Sequence, residues 1–245
     1  MKLLRFVLAF IFTPICLYAQ VEFLEHLQFN GNTYHALIVK IDTETINKFS
    51  IIENSQFKTH QEVLRMQQAI HPSFFMVNAS ISDSNCRPMG YFVKDSQKIQ
   101  DINLAEGVGN FYLKPNGALL LTSEAVICNS EEIANYSNVT FGIQSGPMLV
   151  SGNVINAQFN IKSNNKNIRS GVGIFSNNSN DQFLIFGISE NEVTFYEFAT
   201  LFQSKFKCIN ALCLESAGCT FYVSNSSSAS ELFDGVICNY IFLKL

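Results

Sequence analysis

The chain has 245 residues, 47% of them hydrophobic, and its 16 Lys and Arg stand against 20 Asp and Glu for a formal net charge of −4. That apolar content can bury one sizeable core, and no glycine- or proline-rich linker divides the sequence, so a single domain is expected. Lys and Arg are not clustered, which argues against nucleic acid as a partner.

In chain order, residues 1–19 come first: basic Lys2 and Arg5, an apolar run from Phe6 to Cys16, then small Ala19 before Gln20. This is the layout of a secretory signal. The run falls short of the roughly 20 apolar residues that a spanning helix needs. Residues 20–245 are therefore expected as an exported domain, periplasmic or extracellular, with no transmembrane span once the signal is removed. Six cysteines fall in that domain, Cys86, Cys128, Cys208, Cys213, Cys219 and Cys238. An even number in an exported chain predicts disulfides, in pairings that order alone does not set. No C-x-x-C pair with flanking histidine is present, which argues against structural zinc.

Strand signals dominate from there. The stretches 34–42, 48–54, 74–80, 90–95, 171–176, 182–189 and 239–245 are short, β-branched or aromatic, and bounded by polar clusters. Two hairpins are predicted, one turning at Asn116-Gly117 and one at Ser151-Gly152-Asn153. Thr59 with Glu62, and Thr194 with Glu197, read as capping boxes that open two helices. The first helix places Val63, Met66 and Ile70 on one face and stops at Pro72; the second buries Phe195, Phe198, Ala199, Leu201, Phe202 and Phe206. The polar segments near 160–170 and 224–231 read as surface loops. The fold class is α+β, a single domain with a mixed, mostly antiparallel β-sheet core and a few packed helices.

Most catalytic signatures are missing from the chain. It has no H-E-x-x-H, no G-x-S-x-G and no Walker loop, and none of His26, His35, His60 and His71 lies near a cysteine or serine motif. His60 and His71 flank the first predicted helix as terminal hydrogen-bonding residues. Polar residues at predicted strand ends remain: Asn78, Gln144 with Ser145, Arg169 and Glu215. Arg169 runs directly into Ser-Gly-Val-Gly-Ile, where a guanidinium either holds a phosphate bidentately or pairs with an acid. Gly171 and Gly173 permit a close approach or mark a bulge. Alternation sets Leu212 and Leu214 on one face and Cys213 with Glu215 on the other, so Glu215 reads as a catalytic carboxylate or as part of a disulfide-braced corner.

The order of "VNASISDSNCRPMGYFVKD", "GNFYLKPNG", "FGIQSGPMLVSGNVINAQF", "IRSGVGI", "FYEFATLF" and "CINALCLESAG" resembles the phosphodiester glycosidase family from about residue 30 to about residue 225. Its most specific pieces are Gln144-Ser145-Gly146-Pro147-Met148-Leu149 and Arg169 with Gly171-Val172-Gly173. Members remove a sugar, typically N-acetylglucosamine, from a phosphodiester. The resemblance implies catalytic roles for Glu215, Arg169 and Asn78, and substrate-binding roles for Gln144, Ser145, Gly146, Gly171 and Ser216. Arg169 would stabilise the departing phosphate; Glu215 would stabilise the oxocarbenium-like centre or activate water. No cofactor is required, although Glu215 and a substrate phosphate leave room for a divalent cation such as calcium or magnesium. Where members usually read Leu-Asp-Gly this chain has Leu214-Glu215-Ser216, and where many have glycine after the asparagine it has Asn78-Ala79-Ser80. The added methylene moves the carboxylate by roughly 1.5 Å. The implied activity is an exported hydrolase acting on a sugar phosphodiester or glycan in the cell envelope; the alternative is a catalytically impaired sugar-phosphate or glycan-binding protein of the same fold.

Overall fold

The computed structural model describes residues 20–214, 218–224 and 235–245. The expected signal segment, Glu215 and Ser216 lie outside the described residues. β1 (Val21–Phe29) and β2 (Asn32–Ile41) form a hairpin that turns at Asn30 and Gly31, both at positive φ. Next come α1 (Thr43–Ile46), β3 (Phe49–Glu53), α2 (His60–Ile70) and β4 (Phe74–Asn78). The middle of the chain supplies β5 (Phe92–Lys94), β6 (Gln97–Gln100), β7 (Gly117–Leu121), β8 (Ala125–Asn129) and β9 (Phe141–Ser145). After β10 (Met148–Ser151) and β11 (Val154–Ile155) the chain runs through β12 (Ser170–Ser176) and β13 (Gln182–Ser189) to α3 (Phe195–Thr200), which widens into a π turn over Leu201–Lys205. It closes with β14 (Asn210–Cys213), β15 (Phe221–Val223) and β16 (Asn239–Lys244).

Three sheets result, ordered β1-β2-β13-β12-β14-β10-β11, β15-β4-β16-β3 and β6-β5-β9-β7-β8. Every described strand pair is antiparallel, so the expected mixed sheet is corrected to an antiparallel one. The reason lies in the two longer helices. Each connects strands that run the same way but are one position apart, β3 to β4 through α2 and β13 to β14 through α3, and an antiparallel strand, β16 or β12, fills the slot. Parallel neighbours would need the crossover without the filler.

Alternation of inward residues builds the main core between the sheets from Leu37, Val77, Phe186, Leu212 and Ile241 among others. Phe198 and Phe202 of the α3 segment cover the other face of the seven-stranded sheet, and Val63 and Leu64 of α2 cover the four-stranded one. Of the expected stripe, Phe198, Ala199, Leu201, Phe202 and Phe206 are core, whereas Phe195 is only partly buried because its ring stacks on Phe159 at the edge of the cluster. The expected face of α2 needs correction: Val63 is buried, but Met66 and Ile70 are exposed, because the helix turns His60 and Leu64 inward with Val63.

The hairpin expected at Asn116-Gly117 does not form. Asn116 is buried and gives its side-chain amide to Phe111 O at 2.9 Å, so it cannot occupy a solvent-facing turn. Gly117 instead begins β7, where a Cβ would collide with Met148 Sδ and Cys128 O; β7 and β8 make the hairpin. The turn at Gly152 and Asn153 does form, both at positive φ, between β10 and β11. Of the six cysteines, Cys86 and Cys238 form a disulfide that ties the loop after β4 to the entry of β16. Full pairing is not observed, since Cys128 and Cys208 are buried thiols on separate packing faces.

Both predicted capping boxes are present, Thr59 with Glu62 and Thr194 with Glu197. Thr59→Ala is expected to cost about 1 kcal/mol by releasing the first-turn amides of α2, measured as a lower urea midpoint with unchanged slope.

Candidate functional site

Three neighbouring strand ends and one strand from the facing sheet meet at one edge of the seven-stranded sheet. Arg169 and Ser170 enter β12, Cys213 and Leu214 leave β14, and the Ser145-Gly146-Pro147 turn leads into β10. Backbone bonds lock them together: Cys213 N–H donates to Pro147 O at 3.0 Å and Leu214 N–H to Ser170 O at 3.0 Å. From the facing four-stranded sheet, Asn78 at the end of β4 donates its side-chain amide to Ser170 Oγ at 2.8 Å and accepts from Thr220 N–H at 3.1 Å. Asn78 is completely buried, so its amide is a fixed dipole at the junction of the two sheets.

Arg169 is only 1% exposed. Its Nε donates to Val193 O at 2.9 Å, one Nη to Asn165 O at 3.3 Å, and the guanidinium carbon sits 3.5 Å from the Phe195 ring centroid. Its own N–H donates to Ser189 Oγ at 3.0 Å. Among the described residues no carboxylate lies within ion-pair distance of this side chain. Two carbonyls and an aromatic face engage part of its donor set and its plane, and none of these described partners balances its charge. Burial accordingly pulls its pKa down, opposed by the neighbouring Cys213 and Cys219 sulfurs. The Phe195 platform had a signal in the sequence, the first helical residue after the Thr194 cap, but was assigned wholly to the core.

The other expected site residues are placed differently. Gln144 is buried, and its side chain is committed away from this edge: Oε1 accepts from Tyr91 N–H and Asn103 N–H, and Nε2 donates to Asn103 O and Ser130 Oγ. Ser145 Oγ is buried without a partner among the described residues, while its backbone pairs with Gly117. Gly146 lies in the turn beside Pro147. Gly171 pairs with Cys213, and a Cβ there would come 2.9 Å from Leu212 O and 3.0 Å from Phe198, so chain packing already requires the glycine. Glu215 and Ser216 follow Leu214 outside the described residues. Cys213 and Cys219 are both buried and direct Sγ to Ser170 O at 3.6 Å and Ile168 O at 3.4 Å.

Behind Asn78 stands a residue read from the sequence only as a helix-end group. His60 is buried at the start of α2, and its Nε2 shares a 2.7 Å hydrogen bond with Thr220 Oγ1. Burial pushes its pKa down to about 4. In the unfolded chain the imidazole takes a proton below about pH 6.5, whereas the folded chain holds it neutral until about 4, so folding loses stability as pH falls through that window. The expected loss between pH 7 and pH 5 is about 2 kcal/mol. Urea unfolding at both pH values should show it, and His60→Gln should remove that component.

A hollow of about 700 Å³ bounded by Lys48, Phe49, Gln67, His71 and Phe242 shares no residue with this edge and has no acid in its wall.

An antiparallel scaffold thus sets a buried guanidinium, with no carboxylate partner among the described residues, beside a fixed amide at its strand tips. The chain belongs to the phosphodiester glycosidase family, whose model matches residues 71–231. It is 30% identical over 152 residues to the uncharacterized protein YigE of Escherichia coli K12, which covers 62% of this chain; the chain spans 58% of that relative, less than two thirds of its length. Its fold is similar to the catalytic domain of zebrafish N-acetylglucosamine-1-phosphodiester alpha-N-acetylglucosaminidase, auto-inhibited by its pro-peptide, at a TM-score of 0.57 and 10% identity over 92% of this chain and 82% of that one. A hypothetical protein from Synechocystis matches at a TM-score of 0.51 and 13% identity over 91% of this chain and 61% of the other. At such identities the two structures share the fold alone with this chain.

Proposed function

We propose that the chain is an exported hydrolase that cleaves the bond between the anomeric carbon of an N-acetylglucosamine-like sugar and a phosphodiester. Family membership supports the reaction class. The observation that carries the reading is Arg169, a buried cation with no acid partner among the described residues, beside the Asn78–Ser170 pair. A substrate phosphate supplies the missing negative charge, and the guanidinium offers it charge-assisted hydrogen bonds.

Phosphate is already a good leaving group, so the reaction gains most from stabilising the departing anion. Arg169 does this, held against Phe195 so that little reorganisation is needed as charge develops. Asn78 keeps its amide fixed through Ser170 and Thr220 and orients the sugar or phosphate from the facing sheet. Glu215, one residue beyond Leu214, supplies the carboxylate that stabilises the oxocarbenium-like carbon or activates water. The Cys86–Cys238 disulfide supports an oxidising, extracytoplasmic location, and among the described residues no helix is long and apolar enough to cross a membrane.

The test is release of free sugar from an N-acetylglucosamine-1-phosphodiester by the purified protein. No release across a range of pH and added divalent cations removes the enzymatic reading. Binding of a sugar phosphate without turnover is the second reading, favoured by Arg169 having its Nε and one Nη engaged with backbone carbonyls; calorimetry with sugar phosphates separates the two.

A further inference from the structure

Across β13 from Arg169, at the same end of the same sheet, lie three side chains that the proposed reaction does not use. His26, His35 and Glu190 come from β1, β2 and the residue after β13. His26 Nδ1 lies 2.6 Å and His35 Nε2 3.0 Å from the same Glu190 oxygen, and the donor atoms all fall within 4.8 Å of one another. We propose that these three residues form a site for a zinc-class divalent transition cation, with one further coordination position open to solvent.

The backbone is shaped to bring them together. The β1–β2 register slips between Leu24 and Leu27, and His26 sits in that irregularity at a φ of 50°, a left-handed conformation that a non-glycine residue seldom adopts. Without the slip, strict alternation would fix the side-chain direction of residue 26 by the pleat. Strain of this kind marks functional positions more often than ordinary ones. His35 lies across from Ile188 on β13, and Glu190 follows Ser189, the partner of Tyr34, so the strand pairing sets the imidazole and the carboxylate side by side.

The chemistry of the set is that of a borderline cation. Two imidazoles and one carboxylate suit zinc, cobalt or nickel, whereas calcium and magnesium take oxygen ligands. Tetrahedral bonds of about 2.0–2.1 Å place ligand atoms roughly 3.3 Å apart, so the two contacts to Glu190 have to lengthen by roughly 0.3–0.7 Å while the two imidazole nitrogens, within 4.8 Å of each other, settle to the same spacing. The side chains that must move are the accessible ones: His26 is 60% and Glu190 28% exposed, while His35 is 2% exposed and fixed beside Phe23. Burial lowers the pKa of His35, which favours the neutral imidazole that a metal requires. One contact must give way. His26 N–H points at His35 Nδ1 at 3.5 Å, and a metal on Nε2 transfers the ring proton to Nδ1, so the bulge peptide must turn aside.

The experiment uses protein without a histidine tag, stripped with chelator and titrated with Co²⁺. The expected result is one-to-one binding with the intense visible d–d bands of a low-coordinate ion, displacement by Zn²⁺, and a higher melting temperature with Zn²⁺ than without. His26→Ala and Glu190→Gln, both at accessible positions, should each weaken binding by at least about tenfold and leave the metal-free melting temperature within a few degrees of the parent. Absence of Co²⁺ and Zn²⁺ binding at millimolar concentration overturns the proposal. So does binding by either variant as tight as the parent's, which would locate the cation elsewhere.

Discussion

Replacing Arg169 with alanine is expected to lower the rate of sugar release from an N-acetylglucosamine-1-phosphodiester by on the order of 10²–10³-fold, the usual cost of removing a preorganised donor from a developing anion. Arg169→Lys is the sharper probe. It keeps a positive charge but cannot donate to Val193 O and Asn165 O in the fork that the guanidinium makes, nor lie flat on Phe195. A lysine variant that retains full activity would show that charge alone suffices and would remove the positioning role of Phe195. An alanine variant with parental activity would sink the assignment of Arg169 to the leaving phosphate. Melting curves of both variants separate lost chemistry from lost folding, because the two carbonyls are left without this donor.

The largest stability effect is expected at Phe186→Ala. Phe186 is fully buried on β13, and its ring centroid lies 5.1 Å from that of Phe75 on β4 and 6.1 Å from that of Phe49 on β3. It therefore joins the seven-stranded sheet to the four-stranded one. Truncation leaves a cavity between two stiff layers that cannot collapse into it, and the expected cost is about 3–5 kcal/mol. The melting temperature should fall by on the order of 10 °C. A fall of only a degree or two would show that the sheets close over the gap. Because Asn78 ends the strand that carries Phe75, the variant should also weaken ligand binding if the two sheets shift relative to each other.

Local patterns were the legible part of this fold. Alternating apolar residues marked β2, β12, β13 and β16, and the Thr59 and Thr194 caps marked the starts of the two longer helices, because each signal lies within a few residues of chain. Asn116-Gly117 misled for a physical reason: the dipeptide favours a tight turn only where Asn is solvated, and here a distant strand, β9, claims the glycine as a β7 partner. Met66 and Ile70 were placed inward by spacing, but the face α2 buries is the one carrying His60, Val63 and Leu64.

The same division holds at the candidate site. Strand ends carrying Asn78 and Arg169 could be located from sequence, since polar residues that terminate apolar runs stand out. Which polar groups are spent on internal bonds could not. Gln144 is occupied by Tyr91, Asn103 and Ser130, and nothing local announces those partners. His26 and Glu190 touch across 164 positions of chain, a juxtaposition that only strand pairing creates.

The four-stranded sheet has β16 in its interior, between β4 and β3. Those two strands therefore wait for a partner from far along the polypeptide; the bonds from Ser80 to Asn239 span 159 positions. Such high contact order slows folding and leaves backbone edges open in the interval. Until that partner arrives, the edges of β3 and β4 are exposed to pairing with strands of other molecules, so the arrival of the last strand is also what closes the chain against aggregation.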